Sequence, residues 1–184
     1  MRRGSRNWAA GLARFWDRTG PTARLGYGMI IVVALWWIGL DTVVVAGVQI
    51  PWPIGLLVAA MGWARVGLAM RPMLALIALS LLFDLGANAP FGSYMIVALT
   101  TYGVHAAAES ALDLEHDPVL QGVLPFLSLF AGLLVLWTLA SVGAGHFARL
   151  APLVLTGFAT ALVFGALAPV FHLRMRPGAL AGRA

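Results

Sequence analysis

The stretch LLFDLGANAPFGSYMIV, residues 81–97, sets a carboxylate at the end of an apolar run and follows it with glycine and proline. Asp84 stands where Leu, Ile, Ala and Phe predict contact with lipid, and an ionised carboxylate in lipid is costly. The glycines and proline after it predict a turn between two helices. Backbone N–H groups in the turn of residues 86–90 can donate to the carboxylate, so a structural role for Asp84 is favoured over ion or proton binding.

The composition is that of a chain whose main solvent is lipid. Of 184 residues, 61% are hydrophobic and 10% are charged, and the mean hydropathy is +0.90. A soluble domain has roughly 25% charged residues. All twelve basic residues are arginines that flank apolar segments, a pattern that excludes a nucleic-acid-binding protein. The sequence has no cysteine, which excludes disulfides and thiolate metal sites.

Hydropathy predicts an all-α integral membrane protein with six transmembrane helices. A crossing takes about 20 apolar residues, and six segments meet or approach that length. They are residues 25–48, 52–70, 72–85, 91–111, 118–142 and 150–173. The predicted transmembrane domain covers residues 25–176, between an Arg-rich segment of residues 1–24 and a tail of residues 177–184.

The Arg-rich segment contains a predicted amphipathic helix over residues 6–18. Trp8, Leu12, Phe15 and Trp16 fall on one helical face, which suits a helix lying in the headgroup layer. A partly disordered tail is the alternative. The first apolar run begins too late and is too long for a cleaved signal peptide, so we expect it to stay as a span.

The arginines predict that both termini are cytoplasmic. With the N-terminus inside, every arginine except Arg149 falls on the cytoplasmic side. The loop around residues 109–117 lies on the same side and is acidic, but acidic residues count little for topology. A solvated loop is favoured there over a docking patch or a weak cation site.

Small residues predict where helices approach closely. Gly157, Ala161 and Gly165 form a stripe on one face of the sixth span, and Ser128 with Gly132 forms a shorter stripe in the fifth. Packing within the chain is favoured, but a partner interface stays open, and a homodimer is one form of it.

The sequence contains no motif that argues for an enzyme. It lacks a nucleophile motif, a phosphate-binding glycine loop and paired catalytic acids, so we predict no catalytic, cofactor-binding or metal-binding residues. His105, His146 and His172 lie apart, without ligand spacing to one another. We predict packed or interfacial histidines rather than metal ligands.

One pattern resembles a known family. A small residue four positions before an aspartate at a helix end, then a turn, Pro-x-Gly and a later aromatic residue, resembles the rod shape-determining protein MreD family. The residues are Ser80, Asp84, Pro90, Gly92 and Tyr102. The resemblance covers about residues 50–110. This chain departs from it at Ser80, where the family often has glycine.

The resemblance implies a non-enzymatic scaffold in the bacterial inner membrane, without a cofactor. Its expected partner is MreC, and through that complex the wall glycosyltransferase–transpeptidase pair and MreB of the cell-elongation machinery. It also implies a six-helix fold similar to the substrate-binding components of energy-coupling-factor vitamin transporters.

Two other functions stay open. A substrate-binding component of a small-molecule, vitamin-type transporter would need a polar pocket near the outer face. Asp41, Gln49, Asp84 and Asn88 are the candidates for it. A general lipid-facing assembly factor without a fixed partner is the third possibility.

Overall fold

The computed structural model describes residues 19–39, 44–45, 48–49, 54–65, 67–87, 89–112, 118–171 and 173. These residues form six helices and one very short hairpin. In chain order they are α1 (Pro21–Ile38), β1 (Val44–Val45), β2 (Val48–Gln49), α2 (Gly55–Ala64), α3 (Met70–Gly86), α4 (Ser93–Ala111), α5 (Pro118–Ala144) and α6 (Leu150–Phe171). Three predicted segments lie outside the described residues. They are the interfacial helix of residues 6–18, the tail of residues 177–184 and residues 113–117 of the acidic loop.

Three of the helices are long and apolar enough to cross a membrane. They are Pro21–Ile38, Gly122–Ala144 and Leu150–Phe171. Large apolar side chains project from them into the surroundings, among them Ile30, Phe130 and Phe158 at 65%, 64% and 66% exposure. Such surface is stable when its solvent is lipid. The prediction of an α-helical membrane protein is therefore confirmed at this level, and the count of six spans stays a prediction.

The shortest helix, α2, forms the centre of the molecule. All ten of its residues are buried, and it packs against α1, α3, α4, α5 and α6. Ten residues rise about 15 Å, half the hydrocarbon thickness of a bilayer. The predicted span 52–70 was therefore too long: the helix begins at Gly55 and ends at Ala64. Gly67, at φ 77°, turns the chain toward α3 in a conformation that favours glycine.

The first predicted span, residues 25–48, was displaced. Helix α1 begins earlier, with Pro21 in its first turn, and ends at Ile38. Val45 then pairs with Val48 in an antiparallel hairpin. β-branched valines are as apolar as helix residues but suit strands, so hydropathy alone extended the helix too far.

The remaining helices begin and end close to the predicted segments. Helix α3 extends the predicted segment 72–85 by a residue or two at each end, and α5 extends 118–142 to Ala144. Helix α4 begins at Ser93 rather than at residue 91, and α6 ends at Phe171 rather than at residue 173.

Two glycines allow close approaches between helices. A Cβ on Gly62 of α2 would overlap the side chain of Phe171 at the end of α6. A Cβ on Gly132 of α5 would overlap the Thr101 hydroxyl of α4. Close contact of this kind replaces the hydrophobic effect as the main attraction between helices in lipid.

Candidate functional site

Asp84 forms the corner between α3 and α4. Its carboxylate accepts hydrogen bonds from the backbone N–H of Gly92 at 2.7 Å and from that of Tyr94 at 2.9 Å. The residue is 2% exposed. Both donors belong to the start of α4, where N–H groups have no partner within the helix. The last turn of α3 thus supplies the cap of the next helix.

The position explains how a buried carboxylate is accommodated. The aligned peptide dipoles of a helix place partial positive charge at its N-terminus, which stabilises a nearby anion. The sequence led us to expect the donors within residues 86–90, but they lie beyond this turn, at Gly92 and Tyr94. Ala89, within that turn, instead donates its N–H to the backbone carbonyl of Asp84 at 3.2 Å.

The turn before α4 depends on a glycine in the left-handed region. Gly92 has φ 88° and ψ −3°, which glycine adopts without steric cost. Ser93 donates its N–H to the carbonyl of Pro90 at 3.0 Å, and Pro90 itself is exposed. This geometry aims the first N–H groups of α4 at Asp84.

Aromatic side chains pack around the corner. The ring centres of Trp36 of α1 and Phe83 of α3 lie 5.7 Å apart, and Phe83 lies at the same distance from Tyr94 of α4. A Cβ on Gly86 would overlap the ring of Trp36, so α1 packs directly against the end of α3. The rings keep water away from the Asp84 hydrogen bonds and so strengthen them.

Tyr102 anchors the middle of α4. Its hydroxyl accepts the N–H of Ala69 at 2.8 Å and donates to the carbonyl of Gly67 at 2.9 Å. Both partners lie in the loop between α2 and α3, and Tyr102 is 1% exposed. Ten residues separate Gly92 from Tyr102, about 15 Å along a helix. Two polar anchors therefore hold α4 at well separated points.

Ser80 makes its hydrogen bond within α3. Its hydroxyl donates to the carbonyl of Leu76 at 2.6 Å, and the residue is fully buried one turn before Asp84. The structure thus brings Asp84, Pro90 and Gly92 together at one corner. Ser80 lies beside that corner, and Tyr102 lies at the other anchor.

A second polar group joins α4 to α5, and the sequence did not reveal it. Nδ1 of His105 lies 3.0 Å from the Ser128 hydroxyl, and its Nε2 lies 3.9 Å from Oε2 of Glu109. Ser128 also lies 3.0 Å from the carbonyl of Pro125 and is fully buried. The hydroxyl is closed to a substrate, so this serine and histidine join two helices rather than form a nucleophile. The i, i+4 spacing of His105 and Glu109 was the available signal.

The small-residue stripe of α6 divides between two environments. Gly157 is buried, and a Cβ there would lie 2.5 Å from Cδ1 of Leu133 in α5, so it packs within the chain. Ala161 and Gly165 instead border an open cavity, and a Cβ on Gly165 would meet nothing within 4 Å.

Four side chains were considered for the polar pocket of a transporter component, and the structure describes one of them, that of Asp84. Both of its oxygens accept backbone hydrogen bonds, which leaves the carboxylate committed to the corner. The side chains of Asp41, Gln49 and Asn88 lie outside the described part of the chain, as does His172. His146 is exposed, with Nδ1 2.9 Å from the carbonyl of Ala144. Among the described residues, no three His, Asp or Glu side chains are grouped to hold a metal ion.

Comparison of the chain with known protein families, with characterised proteins and with solved structures gives no significant match. The class of the protein therefore rests on its own structure. It is an α-helical membrane protein in which a short central helix is enclosed by longer ones, and α4 is fixed at two polar anchors.

Proposed function

We propose that the chain is a non-enzymatic scaffold of the bacterial cell-elongation machinery, set in the inner membrane with both termini in the cytoplasm, and that it binds MreC. Through MreC it would act with the glycosyltransferase–transpeptidase pair of lateral wall synthesis and with MreB. The proposal rests on the MreD-like residues of α3 and α4.

The observation that supports it is the use of those residues in the structure. Asp84 and Gly92 together fix the corner between α3 and α4, and Tyr102 fixes the middle of α4. A motif whose polar atoms all serve helix geometry suits a protein whose task is to present a surface. It suits catalysis or ligand transport less well, because these need polar atoms that are free to act.

The corner also offers a surface of its own. Phe91 lies in the turn between the two anchored helices and is 79% exposed, more than nearly every other large apolar side chain of the described residues. Exposed aromatic residues on a rigid support are common anchors in protein interfaces. We place the contact with MreC at this turn, which would face the periplasm in the proposed orientation.

Co-purification of tagged protein with MreC tests the proposal. The wild-type chain should retain MreC in mild detergent, and Phe91→Ser should lose most of it without a change in thermal unfolding. The matched control is Phe147→Ser, because Phe147 is 83% exposed in the loop between α5 and α6, at the same end of the molecule. Wild-type protein that retains no MreC would overturn the function. Equal retention by both variants would move the contact away from the corner.

A transporter component remains the second candidate. It predicts a bound metabolite or an ATPase-linked membrane partner in the same purification. Mass spectrometry of the purified material distinguishes the two functions, since the scaffold should bring MreC and no stoichiometric metabolite.

A further inference from the structure

A groove opens between α5 and α6, beside the end of α2. Its volume is about 280 Å³, at the lower limit of small-molecule sites, which hold roughly 300–1,000 Å³. Gly122 of α5 and Ala161 and Gly165 of α6 leave the space, because their side chains are small or absent. We call this space the α5–α6 groove.

The α5–α6 groove is a narrow slot parallel to the helices. Its wall in α5 extends from Gly122 to Leu129, and its wall in α6 from Ala161 to Ala168. Seven residues of helix rise about 10 Å, so both walls have the same length. A slot of this shape accepts an extended aliphatic chain better than a compact ring.

The groove opens toward apolar surroundings. Phe126, one of its lining residues, is 62% exposed, and Phe130 and Leu162 beside it are 64% and 61% exposed. Since these surfaces belong to helices that are long and apolar enough to cross a membrane, an occupant enters from the bilayer rather than from water.

A positive charge borders the groove. Arg65 follows the last residue of α2, and its guanidinium carbon lies 5.7 Å from the centre of the Phe164 ring, a cation–π arrangement. Within the described part of the chain, this guanidinium makes no hydrogen bond and no ion pair within 4 Å, and the Glu109 carboxylate of α4 interacts with it electrostatically from a greater distance. Its N–H donors are thus available to an anionic group from outside the chain.

We propose that the α5–α6 groove binds a membrane phospholipid, with the phosphate on Arg65 and part of one acyl chain in the slot. Arginine forms paired hydrogen bonds with phosphate oxygens, and the stem of its side chain lies well on an apolar surface. A phospholipid is the abundant bilayer component that combines an anion with an aliphatic chain, which are the two features that the groove complements. The site would lie in the leaflet at the α2–α3 loop.

Lipid retention measured by native mass spectrometry tests this proposal. Delipidated protein in detergent is titrated with phosphatidylglycerol, and the bound fraction is measured for the wild type, Arg65→Gln and Gly165→Leu. The wild type should bind one lipid with measurable affinity. Loss of the charge-assisted hydrogen bonds should weaken binding by about tenfold in Arg65→Gln. Gly165→Leu should weaken it comparably by filling the slot, where the structure has space for a side chain.

Matched variants control for general effects. Arg71→Gln removes a charge at the same end of the molecule but outside the groove, where Arg71 donates to the Thr22 hydroxyl at 3.2 Å. Gly103→Leu adds the same side chain to α4, also without a clash. Both should bind lipid as the wild type does. Equal affinity in all five proteins would overturn the proposal. The proposal would also be overturned if lipid binding were unchanged and Gly165→Leu altered the oligomeric state. That result would assign the groove to a second copy of the chain.

Discussion

The carboxylate of Asp84 accepts the backbone N–H of Gly92 at 2.7 Å across eight residues of chain, and this contact joins the end of one helix to the beginning of the next. Tyr94 donates to the other oxygen of the same carboxylate at 2.9 Å. Because the three residues lie in adjoining elements, the single side chain of Asp84 links α3 to α4 at this corner.

Removing that side chain should destabilise the fold. Asp84→Ala leaves two buried N–H groups without an acceptor, at a cost of about 1–3 kcal/mol for each. We expect a clearly lower thermal unfolding midpoint in detergent. Asp84→Asn should lie between the wild type and Asp84→Ala, since an amide keeps one acceptor oxygen. A wild-type midpoint for Asp84→Ala would show that the cap contributes nothing to stability.

Substitution of the corner glycine, Gly92, should lower the stability of the protein. At φ 88°, Gly92→Ala forces a Cβ into the left-handed region, which costs roughly 1–2 kcal/mol. Gly103→Ala is the matched control, because Gly103 is helical and a Cβ there meets nothing within 4 Å. It should be neutral or stabilise the protein by about 0.5–1 kcal/mol. Equal midpoints for the two alanine variants would contradict the strained turn.

The hydroxyl of Tyr102 should keep the α2–α3 loop closed. Tyr102→Phe leaves the N–H of Ala69 and the carbonyl of Gly67 without this partner, at a cost of about 1–3 kcal/mol. Trypsin provides a local readout at Arg65, which begins the loop and is followed by valine, whereas the Arg71–Pro72 bond at its far side resists trypsin. Cleavage there should be faster in Tyr102→Phe than in the wild type. An unchanged cleavage rate would mean that other contacts hold the loop.

Gly132 of α5 and Thr101 of α4 should be coupled in their effects on the free energy of unfolding. Gly132→Ala places a Cβ against the Thr101 hydroxyl and should cost about 1–3 kcal/mol through overpacking. In the double variant with Thr101→Ala, most of that loss should be recovered, because the obstructing hydroxyl is gone. A double-mutant cycle on the unfolding free energy measures this coupling. Strict additivity of the two changes would contradict the close approach.

The sequence predicted this corner well and the centre of the molecule poorly. A lone carboxylate beside glycine and proline signals a capped turn, because such a group must find donors nearby. Which donors it finds depends on where α4 begins relative to α3, and local sequence does not set this. His105 and Ser128 are a similar case: they are 23 residues apart, and only the register of two helices brings them together.

The boundaries of α1 and α2 escaped prediction for another reason. Hydropathy measures how apolar a segment is, not whether its neighbours are lipid or other helices. Residues 55–64 are apolar because protein surrounds them, so the helix can be far shorter than a membrane span. Val45 and Val48 are apolar too, but they belong to a hairpin.

The enclosure of α2 has a consequence for biosynthesis. Its neighbours α4 and α6 follow it in the chain, and the close contact of Gly62 with Phe171 cannot form before the last residue of α6 has been made. During translation the central helix therefore leaves the ribosome after α1 but well before α4 and α6 have been made. The nascent protein must shelter Trp63 and its apolar neighbours in some other way until α6 has been made, and chains truncated before α6 should be prime substrates for membrane quality control.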